Sequence, residues 1–349
     1  MPPTIREVAH EAGVSIATVS HALSGKRPVS AETQSRIRKT ARRLGYRPNR
    51  VAAAMITGRT STLGMIVPDI GNPFFGQLVA AAERGAAARG YTLVVCSSEL
   101  DAELESRYAR ALHDRRVDGL IYVSGTNAGN SALLDVARSG VPIVALDEEL
   151  DTLPPGCSLL TVANTDGGAL AAGHLLELGH GELGVLTGPA DLPTARERAA
   201  GFVRASRRGG VRVPKRRVAH APAYTVEAGR ETARILLQDD PGLTALFCGN
   251  DLIALGVVQA AEELGRRVPR DLSVVGFDDI FVAALVRPGL TTIRQPLAQL
   301  GKEAAELAIA LVEGRDAASA RRVLPVELVV RDSTARPTAR ARALAAAGG

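Results

Sequence analysis

Short apolar runs that alternate with helical stretches from Thr62 onward are the feature that most constrains this fold. The runs STLGMIVPD, YTLVVCSS, VDGLIYVS and VPIVALD have the length of buried strands, and a helical stretch separates each from the next. A second series follows in the same manner: LLTVAN, ELGVLTG, TALFCGN and LSVVGFDD. Strands that are apolar on both faces are typical of parallel sheets covered by helices. The pattern predicts an α/β body made of two doubly wound parallel-sheet lobes.

Polar and aromatic side chains follow these predicted strands. Ligands of doubly wound sheets bind beyond the carboxyl ends of the strands, so this rule selects candidate ligand-binding residues. A polyhydroxyl ring fits them, because polar groups can bond the hydroxyls while aromatic rings cover an apolar ring face. The candidates are Asp69, Asn72, Phe74, Phe75, Asn164, Asp166, Thr194, Arg196, Arg198, Asn250, Asp251, Asp278 and Asp279.

Some of these candidates also have a purely structural interpretation. Asn164 and Asp166 could be turn residues or a helix N-cap. Phe74 and Phe75 could belong to the core, but two adjacent aromatic residues cannot both point inward on one helix face. At least one of the two is therefore expected to face the cleft.

The first 60 residues differ from the rest in charge. They carry 11 Lys and Arg against 3 Asp and Glu, a net charge of +8, whereas the remaining 289 residues carry a net charge of −3. Such a basic segment in front of a slightly acidic body is typical of a module that meets a polyanion.

The same segment has the pattern of three short helices. Thr4 and Glu7 have the spacing of a capping box, and Gly13 ends the first helix. Ser15 lies at the start of the second helix, and Ser30 caps a third that ends at Gly45. This arrangement predicts a helix-turn-helix unit whose second helix enters the major groove. A generic three-helix bundle with a solvated charged face is the alternative, which the concentrated positive charge disfavours.

The segments TIREVAHEAGVSIATVSHALSG and VSAETQSRIRKTARRLGYRPNRVA closely resemble the N-terminus of the lactose-repressor/galactose-repressor (LacI/GalR) family of bacterial transcription regulators. The resemblance continues to about residue 335. It implies a DNA-binding head over residues 1–47, a hinge over 48–61 and a two-lobed effector-binding and dimerisation domain over 62–335. The implied lobes are 62–161 with 294–323, and 163–292 with 326–335. The low-complexity tail, 336–349, is expected to be disordered.

The resemblance also implies which residues of the head meet DNA. The family positions that match Ile16, Ala17 and His21 read bases, and the first two are apolar here. Because an apolar side chain can meet a thymine methyl but carries no hydrogen-bond code, we expect thymines at those half-site positions. Lys26, Arg27, Arg36 and Arg50 are expected to meet phosphates. Besides Arg27 and Arg36, the expected DNA contacts are Thr4, Ser15, Ile16, Ala17, Thr18, Ser20, His21, Lys26, Asn49, Arg50, Ala52 and Met55.

The hinge has the pattern of a very short helix, 50–55, which Asn49 can cap. A helix this short is marginal alone in water, so it should order only against a partner. In the family the matching segment folds when two protomers meet on DNA and places an apolar wedge in the minor groove, at the position of Met55. A plain flexible linker is the alternative.

For the effector cleft, the resemblance implies contacts from Phe74, Phe75, Arg198, Asn250 and Asp278, with Asp166 and Tyr224 as further contacts. Nucleobase-binding relatives carry an Arg two residues before Thr194, where this chain has Leu192. That difference favours a sugar and leaves a nucleobase or another corepressor as the alternative. The tail lacks leucine heptads, so a homodimer on a roughly palindromic double-stranded operator is expected. Release by an inducer and corepression both remain open.

Other classes of protein have little support. The match GHGELG at 179–184 follows a helical run and precedes a strand, the reverse of a dinucleotide site. No nucleotide-binding, metalloprotease or serine-hydrolase motif is present, and the six His are scattered, so no enzyme activity, cofactor or metal is expected. A solute-binding protein is a weaker alternative because of the basic head, and a vestigial cleft is another. Three widely spaced Cys, no long apolar run and no signal peptide predict a cytoplasmic protein, associated with the nucleoid when bound to DNA.

Overall fold

The computed structural model of the chain describes residues 3–24, 28–46, 59–125, 131–149, 156–315 and 321–338. The chain divides into two compact units, with the division between Ser61 and Thr62. None of the described helices combines the length and the apolar character needed to cross a membrane.

The N-terminal unit contains three helices: α1 (Ile5–Ala12), α2 (Ile16–Ser24) and α3 (Ala31–Leu44). The capping box predicted for α1 is confirmed, since Thr4 Oγ1 accepts a hydrogen bond from the Glu7 backbone N–H and Glu7 Oε2 accepts one from Thr4 N–H. Gly13, with φ at 63°, ends α1 in the left-handed region that favours glycine. Buried side chains from all three helices form one core: Val8, Ala9, Ala12, Val19, Ala22, Ile37 and Ala41.

The first sheet of the larger unit has six parallel strands in the order β11-β5-β4-β3-β1-β2. They are β1 (Thr62–Val67), β2 (Thr92–Ser97), β3 (Gly119–Tyr122), β4 (Ile143–Leu146), β5 (Ser158–Val162) and β11 (Arg321–Leu324). The helices associated with this sheet are α4 (Pro73–Ala88), α5 (Ala102–Asp114), α6 (Ser131–Arg138) and α11 (Leu297–Val312).

The second sheet has the order β12-β10-β9-β8-β6-β7, and only β12 runs antiparallel to its neighbour. Its strands are β6 (Leu183–Thr187), β7 (Val218–His220), β8 (Ala245–Cys248), β9 (Ser273–Asp278), β10 (Thr291–Arg294) and β12 (Glu327–Val329). The helices of this lobe are α7 (Asn164–Glu177), α8 (Pro193–Arg208), α9 (Val226–Asp239) and α10 (Asp251–Glu263). The chain passes between the sheets after β5, after β10 and between β11 and β12.

The predicted α/β body with two doubly wound lobes is confirmed, but the grouping of strands into two series was wrong at one point. The run LLTVAN opens the second series in sequence, yet it forms β5, which pairs with β4 and β11 in the first sheet. Apolar composition identifies a buried strand but carries no information about which sheet accepts it. The short β7 escaped the pattern because three residues, two of them half-buried, give no apolar run.

Helices α7 and α8 approach closely because glycines lie at their crossing. A Cβ on Gly168 would lie 2.1 Å from the Arg198 carbonyl oxygen, and one on Gly201 would lie 2.0 Å from that of Thr165. Only hydrogen fits at these two points. This contact fixes α8, which carries the central basic residue of the cleft.

Candidate effector cleft and DNA-recognition surface

A pocket lies at the carboxyl ends of strands from both sheets. We call it the inner pocket. It brings together eight of the fourteen candidate effector residues named from the sequence, and Asp147, which was not predicted. Its lining residues are Asn72, Phe74, Phe75, Asp147, Thr194, Arg198, Tyr224, Asn250 and Asp278.

Arg198 is the basic centre of the inner pocket and is only 3% exposed. Its Nε donates to Asn164 Oδ1 at 2.8 Å, and Nη1 donates to the Gly249 carbonyl at 2.8 Å. Its guanidinium carbon lies 3.9 Å from the centroid of the buried Phe277 ring. Hydrogen bonds and a cation–π contact offset the cost of burying this charge. The guanidinium is thereby held in place by its own lobe.

Two carboxylates flank this guanidinium without bonding it directly. Asp147 Oδ1 lies 4.0 Å from Nη2 and Asp278 Oδ1 lies 3.8 Å from Nη1 of Arg198, both longer than a hydrogen bond. Asp278 Oδ1 accepts a hydrogen bond from Gln295 Nε2 at 2.7 Å. Burial raises the pKa of Asp278 to about 7, against the opposing effect of Arg198. Asp147 and Asp278 also have positive φ, 72° and 110°, as strained functional residues often do.

Glu148 links the two lobes across the cleft. It follows β4 of the first sheet, and its carboxylate accepts hydrogen bonds from the backbone N–H (3.1 Å) and the hydroxyl of Thr194, at the start of α8 in the second lobe. Burial, and secondly the charge of Asp147, raise the pKa of Glu148 to about 7. Sequence reasoning missed Asp147 and Glu148, although Asp147 ends the run VPIVALD and Glu148 follows it, so the rule of carboxyl ends could have found them.

The Tyr224 ring lines the inner pocket and packs against Gly188. A Cβ on Gly188 would lie 2.4 Å from the Tyr224 ring, so the ring packs directly on the backbone there. The hydroxyl is buried and lies near Thr194 without a hydrogen bond of standard geometry to any described residue. Burial raises the pKa of this phenol, which therefore stays protonated and can donate to a ligand.

A larger space, which we call the outer chamber, adjoins the inner pocket. It shares Asn72, Phe75, Asp147 and Tyr224 with the inner pocket and contains the predicted residue Asp69. Its remaining lining residues are Pro68, Leu100, Ser124, Gly125, Glu148, Pro189, Asp191, Leu192, Pro222, Ala223 and Thr225.

Five of the candidates line neither space: Asn164, Asp166, Arg196, Asp251 and Asp279. Among them, only Asp166 was implied as an effector contact by the family resemblance. It is exposed in the first turn of α7, whereas Asn164, two residues earlier, is buried against Arg198. Two residues correspond to about 200° around a helix, so the two side chains leave α7 on nearly opposite sides. The position of Asp166 does not support its assignment to the effector site, nor does either residue cap the helix, whose N-cap is Ala163.

Helix α2 of the helix-turn-helix unit has a buried side and an exposed side. Val19 and Ala22 of α2 are buried, whereas Ile16, Ala17 and Ser20 are exposed and His21 is half-buried. Ser15 caps α2 by accepting from Thr18 N–H at 3.1 Å, and its hydroxyl bonds the Thr18 hydroxyl. Thr4 is exposed as the cap of α1. Arg36 is exposed on α3. The other predicted DNA contacts lie outside the described residues: Lys26, Arg27, Asn49, Arg50, Ala52 and Met55.

Both units match known protein families. The model of the bacterial regulatory proteins of the lacI family matches residues 4–49, and that of the periplasmic binding protein-like domain matches residues 172–334. The transcriptional repressor PurR of Aliivibrio fischeri (strain ATCC 700601 / ES114) is 36% identical over 334 residues, which cover 95% of this chain and 98% of the relative.

Two solved structures extend the likeness to nearly the whole chain. A lac repressor dimer bound to operator and the anti-inducer ONPF has a TM-score of 0.80 and 29% identity, over 96% of this chain and 100% of the other. A complex of the transcriptional regulator CelR with cellobiose has a TM-score of 0.73 and 30% identity, over 95% of this chain and 99% of the other. The chain therefore belongs to the LacI family of bacterial transcriptional repressors, with a helix-turn-helix head that binds DNA and an effector-binding body.

Proposed function

We propose that this repressor binds a pseudo-palindromic operator as a homodimer, one head per half-site, and that a sugar in the inner pocket controls its operator affinity. The chain has no catalytic role in this proposal. The operator-bound lac repressor, which is a dimer, supports the proposed assembly.

The distances between Arg198 and its two neighbouring carboxylates are the observation that supports a sugar as the effector. Gaps of 3.8 and 4.0 Å separate the guanidinium from the carboxylates of Asp278 and Asp147. A hydroxyl that lies beside such a pair, about 2.8 Å from each group, can donate to the carboxylate and accept from the guanidinium at once, because it is both a donor and an acceptor. Phe74 and Phe75, with ring centroids 5.0 Å apart, add apolar surface beside these groups. The cellobiose bound to CelR supports the same ligand class.

Leu192 supports a sugar over a nucleobase. It precedes α8 as its N-cap residue, is 2% exposed and contributes an apolar wall to the outer chamber. It therefore offers no hydrogen bond to a base edge at the position where nucleobase-binding relatives carry an Arg. A nucleobase corepressor remains the second outcome to test.

In the proposed mechanism the ligand changes how the two lobes close on each other. Asp147 and Glu148 come from the first lobe, whereas Arg198 and Thr194 come from the second, so a ligand in the inner pocket contacts both lobes. A change in closure would alter the dimer and the fold of the hinge, and hence operator affinity. Linkage requires that operator DNA change ligand affinity by the same factor.

The test has two steps. Selection from random duplexes with the full-length chain should give a two-fold symmetric site, and binding to it should weaken steeply with salt, by a log–log slope of about −0.9 for each phosphate neutralised. Fluorescence anisotropy on that site, with and without each member of a panel of sugars and nucleobases, should then identify a compound that shifts the operator Kd.

A single substitution tests whether the compound acts through the inner pocket and not through the DNA-binding head. Arg198→Met removes the guanidinium from the inner pocket, so it should abolish the response to the compound while operator binding without the compound is retained. A compound that binds the body, by calorimetry, but leaves operator affinity unchanged would contradict the proposed control. A flat salt dependence would contradict the DNA-binding role of the basic head.

A further inference from the structure

A side chain of the second lobe is buried in the core of the first. Ile280 follows β9 of the second lobe, yet it is only 1% exposed and belongs to the apolar cluster that contains Phe74 of α4 and Leu297 of α11. Leu252 and Val282, also from the second lobe, pack against the same cluster. Among the described residues, neither apolar cluster of the second lobe contains any of these three side chains. Ile280 is therefore a contact between the lobes.

The same short segment carries a candidate effector contact. We call residues 278–282 the bridging loop. Its first residue, Asp278, lines the inner pocket, and Ile280 lies two residues later. Asp278 and Asp279 have positive φ, 110° and 57°, so the backbone leaves the extended path of β9 between the pocket and the apolar cluster. The bridging loop thus joins the inner pocket to the core of the first lobe.

Side chains at the end of β10 hold the first two residues of the bridging loop. Gln295 Nε2 donates to Asp278 Oδ1 at 2.7 Å. Arg294 Nε donates to Asp279 Oδ2 at 2.6 Å. Both donors lie where the chain leaves β10 to enter the first lobe. The loop is therefore tied to a segment that passes between the lobes.

A buried carboxyl group holds Ile280 itself. Asp251, the first residue of α10, is fully buried, and its Oδ2 accepts a hydrogen bond from the Ile280 backbone N–H at 2.8 Å. Its Oδ1 accepts one from the Thr292 hydroxyl at 2.5 Å. Asp251 lines neither the inner pocket nor the outer chamber, so it acts on the cleft through the backbone of the bridging loop.

We propose that Ile280 is the residue that holds the two lobes closed over the cleft, and that Asp251 positions it. Opening the lobes would draw Ile280 out of the first-lobe cluster and expose apolar surface, which favours the closed form. Because Asp278 lies in the same loop, a ligand that contacts Asp278 also restrains this contact. The inference deepens the proposed function, which requires lobe closure, but the contact itself needs no ligand.

The test follows one backbone amide by hydrogen–deuterium exchange in the full-length chain without ligand. The Thr194 N–H of the second lobe donates to Glu148 of the first at 3.1 Å, so it loses its acceptor when the lobes open and reports closure. We expect Ile280→Ala to raise the exchange rate of this amide about tenfold or more, and Ile280→Val no more than about threefold, because Ala removes much more buried surface than Val.

A matched control separates closure from a general loss of stability. Ile143 of β4 is 2% exposed, and its apolar cluster consists of residues of the first lobe. Ile143→Ala should lower the Tm as Ile280→Ala does, yet change the exchange rate of the Thr194 amide less than about threefold, because it removes no contact between the lobes.

Two substitutions of Asp251 test its positioning role. Asp251→Asn keeps an acceptor oxygen for the Ile280 N–H, whereas Asp251→Ala leaves this buried donor without a partner. Exchange of the Thr194 amide should therefore be at least about threefold faster in Asp251→Ala than in Asp251→Asn. The Ile280 variants test the closure contact without depending on either Asp251 variant.

Three results would overturn the proposal. An unchanged exchange rate at Thr194 in Ile280→Ala would show that Ile280 does not hold the lobes closed. An equal rise in Ile143→Ala would attribute the effect to general destabilisation, and equal rates in the two Asp251 variants would remove the positioning role. Failure of the proposed function gives a different result: no compound shifts the operator Kd of the unchanged chain, while Ile280→Ala still releases the Thr194 amide.

Discussion

The crossing of α7 and α8 predicts a large difference between two alanine substitutions on one helix. A Cβ on Gly168 would lie 2.1 Å from the Arg198 carbonyl oxygen and 2.9 Å from the Phe202 backbone nitrogen. Both atoms belong to the backbone of α8, so no side-chain rotation relieves the clash. Gly173 lies five residues further along α7, and a Cβ there would meet nothing within 4 Å.

The distances give the size of the effect. Ordinary contact begins at 3.4 Å, so Gly168→Ala requires the two helices to separate by about 1.3 Å at their closest point. Overpacking of this kind costs about 1–3 kcal/mol. Gly173→Ala should instead stabilise by about 0.5–1 kcal/mol, because alanine loses less backbone entropy in a helix than glycine. Each kcal/mol corresponds to about 2–4 °C in Tm for a domain of this size.

The assay is thermal and urea unfolding of both variants beside the unchanged chain. We expect the Tm of Gly168→Ala to fall by several degrees and that of Gly173→Ala to rise slightly. Because Arg198 belongs to the displaced segment of α8, Gly168→Ala should also weaken any ligand of the inner pocket. If Gly168→Ala melts at or above Gly173→Ala, the glycines do not fix the position of α8 and the packing argument fails.

Three further predictions concern the cleft, the recognition helix and the hinge. The pKa of Glu148 is raised to about 7 in the folded chain, so its contribution to stability is greatest below its unfolded pKa near 4.5 and is lost as the pH rises to about 7. Glu148→Gln should therefore reduce the fall in Tm between pH 5.5 and 7.5. An unchanged dependence of Tm on pH would contradict the burial of this carboxyl. Ile16→Ala with Ala17→Gln should alter the base preferences selected from random duplexes, and an unaltered preference would remove both residues from base reading. Met55→Lys should weaken operator binding much more than non-specific binding, whereas equal loss of both would exclude an apolar wedge.

Local signals predicted local structure well. Thr4 and Glu7 formed their capping box because the spacing alone determines which backbone donors they reach. The apolar pattern grouped β5 with the wrong series, because its pairing with β4 and β11 depends on contacts far apart in sequence. Only the lobe bounds implied by the family resemblance placed it in the first lobe.

The candidate cleft shows the same division between local and long-range information. The rule of carboxyl ends found Asn72, Arg198 and Asp278, because any doubly wound sheet places the residues after its strands at one edge. The rule could not predict which of Asn164 and Asp166 faces the cleft, since that depends on the angle at which α7 leaves the strand. Contacts between lobes, such as that of Glu148 with Thr194, require both lobes to be placed first.

The two sides of the cleft differ in how firmly they hold their polar groups, and this difference is what allosteric control needs. Arg198 is fixed within the second lobe by Asn164, Gly249 and Phe277, so a ligand meets it already oriented. Asp147 comes from the first lobe and stops 4.0 Å short of Arg198. A ligand can change an equilibrium between open and closed forms only through contacts that differ between them. In the proposed mechanism, a hydroxyl that bridges Asp147 and Arg198 makes such a contact, because the two groups belong to different lobes and a change in closure alters the distance between them.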